Sequence, residues 1–382
     1  MKKRRGALQK KAAGLLSILL AFTALAGCSP GDNSTVSAPD SAEAGQPAEG
    51  EAPATPEPVY DNDWEVDAPE NHNMDSEIFR RLHAALVETE VYSAVTVKDG
   101  VIIDEYYKDG YDENSVFRFH SCSKSFTGAL IGVAVAQGKI DGVDVKISAF
   151  FPQVAESDSQ YKQQITIKHL LTHTSGIEWH EWGGNSSSWR PFQQADNWAE
   201  YVLSQPMAAE PGTLFAYSTG GSHLLAAILQ EATGQTALEF GTEQVFAPMG
   251  MDSVAWTSDS AGVTDGGNGI SMTARDAAKF GQLYLDGGRW RGRQILPEAW
   301  VEASVSTQVA RSGDSGSYGY QWWLRPFGTA RYSTYYAMGH GGQFIFVVPE
   351  LNLVTVMNSR YQSDTYAPWP YFSDYILAAY VG

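Results

Sequence analysis

The stretch Phe117-Arg118-Phe119-His120-Ser121-Cys122-Ser123-Lys124-Ser125-Phe126-Thr127-Gly128 decides how this chain folds and what it can do. From Thr127 to Ala136 the sequence is apolar on every side and stops at Gly138, and a helix without a polar face belongs inside a core. Ser121 stands at the start of that helix, and Lys124, three residues on, shares its face one turn away. A serine hydroxyl is a poor nucleophile at neutral pH and needs an adjacent base; a lysine confined in a partly apolar wall can be shifted toward that role. The helix N-terminus adds a free amide and positive potential for a developing oxyanion. The Ser-x-x-Lys spacing recurs at Ser159 and Lys162, but there it lies in the polar stretch 156–164, where a helix would have no apolar face, so that match reads as chance. Helical geometry turns Cys122 away from Lys124, and it reads as a packing residue.

Upstream, Ile78, Leu82, Ala85 and Leu86 share one face of a helix of period near 3.6. Residues 94–98 and 101–107 are β-rich and flank Asp99-Gly100, a dipeptide suited to a type I′ hairpin turn. Downstream, helices are signalled by Asn197 with Glu200, by 222–233 ending at Gly234, and by Thr273 with Asp276 opening a run to Leu285. Residues 343–348 and 353–358 read as strands, and 371–380 as a closing helix. Strands at both ends with helices between them predict an α+β fold: one antiparallel sheet built from both termini, with flanking helices and an inserted, mainly helical lobe. A cleft where such lobes meet is the default place for a site.

The stretch around Ser121 resembles the first motif of the serine β-lactamase-like hydrolases, which include class C β-lactamases, penicillin-binding proteins and esterases. His169-Leu170-Leu171-Thr172-His173-Thr174-Ser175-Gly176-Ile177 resembles their loop marker. Tyr217-Ser218-Thr219 is similar to the Tyr-x-Asn motif of class C enzymes, and His340-Gly341-Gly342 stands where β-lactamases carry Lys-Thr-Gly. The likeness covers about residues 93–359, with the motifs in family order. It implies a β-lactamase/transpeptidase-like fold without metal or cofactor. Ser121 would attack the carbonyl, Lys124 and Tyr217 would relay protons, and the amides of Ser121 and Gln343 would form the oxyanion hole. Substrate contacts are expected from Thr219, His340, Gly341, Gly342 and Trp179. A tyrosine held against an ammonium is favoured as phenolate, an independent reason to expect Tyr217 as a base.

Two departures bear on substrate. His340 is only partly charged at neutral pH, unlike the lysine that holds the antibiotic carboxylate in family β-lactamases. Thr219 removes an amide able to bond an acylamino group. The runs Gly176-Ile177-Glu178-Trp179, 217–225 and 341–346 look more like the esterase and 6-aminohexanoate-dimer hydrolase branch, which cleaves amides and esters. The expected function is therefore a serine hydrolase acting on a small ester, amide or peptide. A D-alanyl-D-alanine carboxypeptidase or class C-like β-lactamase is the enzymatic alternative, and a noncatalytic receptor for cell-wall peptides the alternative of another class.

Weaker signals have plainer readings. Gly313-Asp314-Ser315-Gly316 matches a chymotrypsin-like nucleophile motif, but that fold is all β, and the segment reads as a loop. His169 and His173 are four apart with Glu178, His180 and Glu181 following, yet there is no His-Glu-x-x-His and the segment is broken by Thr174-Ser175-Gly176, so metal binding is not expected. The segment from Trp179 to Trp198, with Trp182, Trp189 and Phe192, is unusually aromatic for a connection and either walls the cleft or pins a loop.

The N-terminus sets location. Six basic residues precede the weakly apolar run 12–27, which is too short to span a bilayer comfortably and ends Leu25-Ala26-Gly27-Cys28, a pattern similar to a bacterial lipoprotein processing site. Residues 1–27 are expected to be a signal peptide, Cys28 the lipidated residue that anchors the protein outside the cytoplasmic membrane, 28–70 a flexible acidic tether, and 71–382 the hydrolase domain. With only Cys28 and Cys122 present, lipidation leaves no internal disulfide. The formal charge is −18 and becomes −24 once residues 1–27 are removed, which argues against nucleic acid as a partner.

Overall fold

In this computed structural model the described residues are 63–382, except 183, 312–315 and the side chain of 185. The expected signal peptide, Cys28, most of the tether, and Gly313 to Ser315 lie outside the described residues. The architecture follows from central strands buried at nearly every position, such as Gln343–Val348 and Leu353–Ser359, because each is covered on two faces. Helix α1 (Ser76–Leu86) is capped by Asp75, whose side chain accepts from Glu77 N. It is followed by β1 (Val91–Lys98) and β2 (Val101–Tyr107), joined through Asp99 and Gly100 at φ 55° and 81°, as a type I′ turn requires.

The chain then enters the helical lobe. Its centre is α2 (Ser123–Ala136), buried on nearly all sides, packed against α3 (Thr219–Thr233). Helix α3 starts three residues earlier than expected, because Ser218 accepts from Gly221 N as its cap, and it ends at Gly234 in the left-handed region. Helix α4 (Ala274–Leu285), capped by Thr273, brings the chain back to the sheet. There it forms β3 (Ser317–Tyr318), β4 (Trp323–Phe327), β5 (Tyr332–Gly339), β6 (Gln343–Val348) and β7 (Leu353–Ser359).

The sheet order is β2-β1-β7-β6-β5-β4-β3, antiparallel throughout, so the first hairpin and the last strands meet as β1 against β7, with Val95 opposite Val356. Alternation sorts one strand into two cores: Phe344, Phe346 and Val348 of β6 join α1 and the C-terminal helical turns, while Ile345 and Val347 join α2 and α4. Helix α4 lies close to the sheet at Gly281, where a Cβ would stand 2.5 Å from Val354 Cγ1. The β-lactamase/transpeptidase-like arrangement expected from sequence is the one observed.

Two expectations need correction. The closing helix is not regular: Trp369–Tyr371 is followed by a wider π-helical turn (Phe372–Ile376) and a tighter 3-10 turn (Leu377–Ala379). Pro368 and Pro370 remove amide donors at its start. The last residues of the segment expected as tether pack on the body: Glu65 and Asp67 bond Ile102 along the free edge of β2, and the Trp64 indole donates to Arg275 O.

Candidate active site

Ser121 does not sit inside α2. It lies in a 3-10 turn, His120–Cys122, that feeds the helix, and His120 adopts φ 49° immediately before it. A non-glycine residue there stores about 1–3 kcal/mol of strain. The turn is held by Ser123 Oγ donating to His120 O at 2.6 Å, while His120 Nδ1 lies 3.3 Å from Asn268 Oδ1. Burial and the nearby Arg118 charge push the His120 pKa down to about 4, so it is a neutral imidazole at physiological pH.

The Lys124 side chain is fully buried. Its Nζ donates to Ser121 Oγ at 3.1 Å, Thr219 Oγ1 at 2.9 Å and Gly267 O at 2.7 Å. Desolvation lowers its pKa to about 8, against the opposing pull of the Glu181 and Asp265 carboxylates. Roughly a tenth of the lysine is then neutral at pH 7, enough for it to accept a proton from the adjacent hydroxyl.

Tyr217 is brought to the same place, but not as expected. Lys124 Nζ lies over its ring, 4.8 Å from the centroid, and burial followed by the Glu181 charge raises the phenol pKa well above 10, outweighing a hydrogen-bond interaction with Ser121. The phenolate expected from the sequence is thus not the favoured form: Tyr217 is a neutral phenol. Its ring stacks on Trp182 at 5.5 Å and contacts His173 at 4.6 Å. His173 is itself buried and held neutral, taking Ser218 N at Nδ1 and facing the Tyr318 hydroxyl at Nε2, while His169 accepts Thr166 N at a helix cap. The two histidines therefore serve different elements.

Glu181, considered from the sequence only beside the histidines, is wired into this cluster. Its Oε1 accepts from Thr219 Oγ1 at 2.5 Å, and its Oε2 accepts from Thr219 N at 2.9 Å and Trp179 Nε1 at 2.5 Å. Since Thr219 has one hydroxyl proton, given to Glu181, the same oxygen is free to accept from Lys124. A line runs Ser121, Lys124, Thr219, Glu181, Trp179. An acid amid tryptophans was the available signal, but nothing in its spacing pointed to Lys124.

These residues open onto a cleft of about 770 Å³ walled by Arg118, Glu181, Trp182, Trp189, Tyr217, Asn268, Met338, His340 and the segment 362–366. Of the expected substrate contacts, only His340 lines it. Thr219 is buried in the network just described. Trp179 is a prop beneath the cleft: a Cβ on Gly220 would come within 2.6 Å of its ring. Gly341 and Gly342, at φ 79° and 89°, turn the β5–β6 hairpin, and the single Ser359 hydroxyl proton is shared between their carbonyls, 2.7 and 2.8 Å from Oγ. The Gln343 side chain points away from the cleft to Asn358 and Ser359, and its carbonyl accepts from Cys122 Sγ at 3.6 Å, which leaves Cys122 the packing role expected. Beyond Tyr336, β5 pairs with no strand on its outer side among the described residues, and this edge at Met338 and Gly339, with His340 following, forms the cleft wall.

Sheet, helical lobe and, at their seam, a Ser-x-x-Lys pair with its lysine buried and its serine on the cleft define a β-lactamase-fold hydrolase. The family described as Beta-lactamase matches residues 78–371, and the chain belongs to it. The 6-aminohexanoate-dimer hydrolase of Paenarthrobacter ureafaciens is 26% identical over 309 residues, covering 75% of this chain and 77% of that protein. The D-alanyl-D-alanine-carboxypeptidase/endopeptidase AmpH of Escherichia coli is 29% identical over 148 residues, covering 38% and 37%. In structure, the octameric penicillin-binding protein homologue from Pyrococcus abyssi superposes with a TM-score of 0.63 at 20% identity, covering 79% of this chain and 76% of that one.

Proposed function

We propose that this protein is a serine hydrolase that cleaves a small ester or amide through an acyl-enzyme on Ser121. The observation that carries the reading is the 3.1 Å contact between Ser121 Oγ and the buried Lys124 Nζ. Neutral Lys124 takes the hydroxyl proton as Oγ attacks the carbonyl, and Tyr217, a phenol, gives its proton to the leaving group and recovers one from Lys124. Water then attacks the acyl-enzyme with the roles reversed. The oxyanion is held by the Ser121 amide and by an amide of the open β5 edge at Met338 to His340, in place of the Gln343 amide. The similarity to 6-aminohexanoate-dimer hydrolase supports an amide or ester over a β-lactam, as does His340 in place of a lysine.

Fluorophosphonate labelling and nitrophenyl-ester turnover should both vanish in Ser121→Ala; undiminished labelling there refutes the assignment. Fluorescent penicillin separates the second reading, favoured by the partial likeness to the carboxypeptidase: a stable adduct would indicate a D-alanyl-D-alanine peptidase. The sequence before residue 29 supports export and lipid anchoring through Cys28, with residues after it as a spacer. Incorporation of labelled palmitate, lost in Cys28→Ser, tests that placement.

A further inference from the structure

Behind Lys124 lies a second buried carboxylate that the proposed reaction does not use. In the turn Asp265-Gly266-Gly267-Asn268-Gly269, the Gly267 carbonyl accepts from Lys124 Nζ at 2.7 Å, and the Gly267 amide donates to Asp265 Oδ1 at 3.3 Å. One glycine thus joins a carboxylate to the ammonium. The turn has no room to shift: Thr127 Oγ1 of α2 donates to Gly266 O at 2.7 Å, Trp256 Nε1 donates to Asp265 O at 2.8 Å, and a Cβ on Gly266 or Gly267 would stand 2.7 Å from Ala226 or 2.6 Å from Thr219, both of α3.

A carboxylate at such depth needs compensation, since desolvation disfavours its charged form. Burial raises the Asp265 pKa, and the charge of His223, then that of Lys124, pull it back, helped by the Gly267 amide and by Arg118. His223 lies one turn along α3 from Thr219, fully buried, with its Nε2 3.3 Å from Asp259 Oδ2. Asp259 is held in turn by the amides of Ala261 and Val263 on Oδ1 and of Trp198 on Oδ2. Signs therefore alternate from Asp259 through His223 and Asp265 to Lys124. The other ionisable groups that bear on Lys124 are Glu181, which is charged, and Cys122, Tyr217 and His173, which burial keeps neutral.

Resting on the serine-hydrolase reading, we propose that Asp265 is a positioning residue for the general base: through Gly267 it aims the carbonyl that receives a Lys124 proton, and its charge favours the ammonium that forms when Ser121 gives up its hydrogen. Lys124 is then served by two carboxylates along separate routes, Glu181 through Thr219 and Asp265 through Gly267.

The test follows the rate of fluorophosphonate labelling against pH on the full chain, which reads Ser121 activation without substrate turnover. In the wild type the rate should rise through about 8, the Lys124 pKa. Asp265→Asn keeps an oxygen for the Gly267 amide and removes the charge, so Lys124 loses its proton more readily and the limb should move down by about one pH unit. A residue that only shapes the turn would leave it in place. Asp265→Ser, whose hydroxyl can form the same turn, should shift the limb likewise and decides the matter if the Asn variant lacks a cooperative thermal transition. Adding Glu181→Gln should move the limb further, because the two charges act independently. Asp265→Ala also frees the Gly267 amide; kcat for nitrophenyl hexanoate should fall about tenfold with KM changed less, and Asn should restore most of it. A limb that stays in place or moves up in the folded Asn or Ser variant overturns the proposal. Labelling retained in Ser121→Ala, or a wild-type rate that does not vary with pH, overturns the hydrolase reading and its base instead.

Discussion

At the scale of single residues, the site is governed by where a proton is cheapest. Burial lowers Lys124 to about 8, while the Glu181 carboxylate, reaching it through Thr219, pulls the other way. If neutral Lys124 is the base, kcat/KM rises with pH through about 8. Replacing Glu181 by Gln removes a charge that favours the ammonium, so the Lys124 pKa falls further and the acid limb moves to lower pH. A profile that is unmoved or shifts upward contradicts the wiring. Thr219→Val breaks the line at its middle and leaves a lysine donor without its acceptor; kcat should drop at least tenfold, with KM changed less. Cys122 provides a contrasting case. Its thiol is enclosed, with its pKa pushed far up by burial, so in the Cys28→Ser chain a thiol reagent should label Cys122 only after denaturation.

At the scale of elements, two glycines mark close approaches that sequence pattern does not reveal. Alanine for Gly281 would gain about 1 kcal/mol in helix propensity, yet its Cβ would meet the stiff Val354 and Ile345 methyls at 2.5 and 3.0 Å, and overpacking costs about 1–3 kcal/mol. The second effect should win: Gly281→Ala lowers the thermal midpoint, measured by calorimetry, and an increase would show that α4 can retreat from the sheet. Gly220 lies under Trp179, and Gly220→Ala displaces the indole that holds Glu181. That variant should lose activity with a shift of the acid limb toward lower pH, as in Glu181→Gln, because the same carboxylate is released. The hairpin 98–101, helix α2 and the caps at Thr273 and Asn197 were legible because their signals are local: positive φ at Asp99-Gly100, an apolar run, a hydroxyl or amide three residues before its amide partner. The C-terminal turns were legible only in part: Pro368 and Pro370 mark a break at the start, but the wider turn lies where Phe372 stacks on Phe346 at 4.0 Å, a contact between distant parts of the chain.

At the scale of the whole molecule, the sheet is closed by strands from the two ends of the domain, so no N-terminal portion can bury its own hairpin. A chain ending at residue 342 lacks β6 and β7, leaving β1 without its partner; it should show no cooperative unfolding transition, whereas a cooperative transition would mean that the helical lobe folds alone.

The sequence by itself determined the class of fold, the nucleophile and the lysine three residues on, because period, caps and a one-turn spacing act within a few residues of chain. It also brought Tyr217 to notice. Only the tertiary structure decided what surrounds them: that Tyr217 presents its ring to Lys124 and stays protonated, that Glu181 is tied to Lys124 through Thr219, that Trp182 rather than Trp179 faces the cleft, and that Asp265 reaches Lys124 through Gly267. Burial and through-space charge set those properties, and both depend on residues far apart in sequence that meet only when the sheet closes.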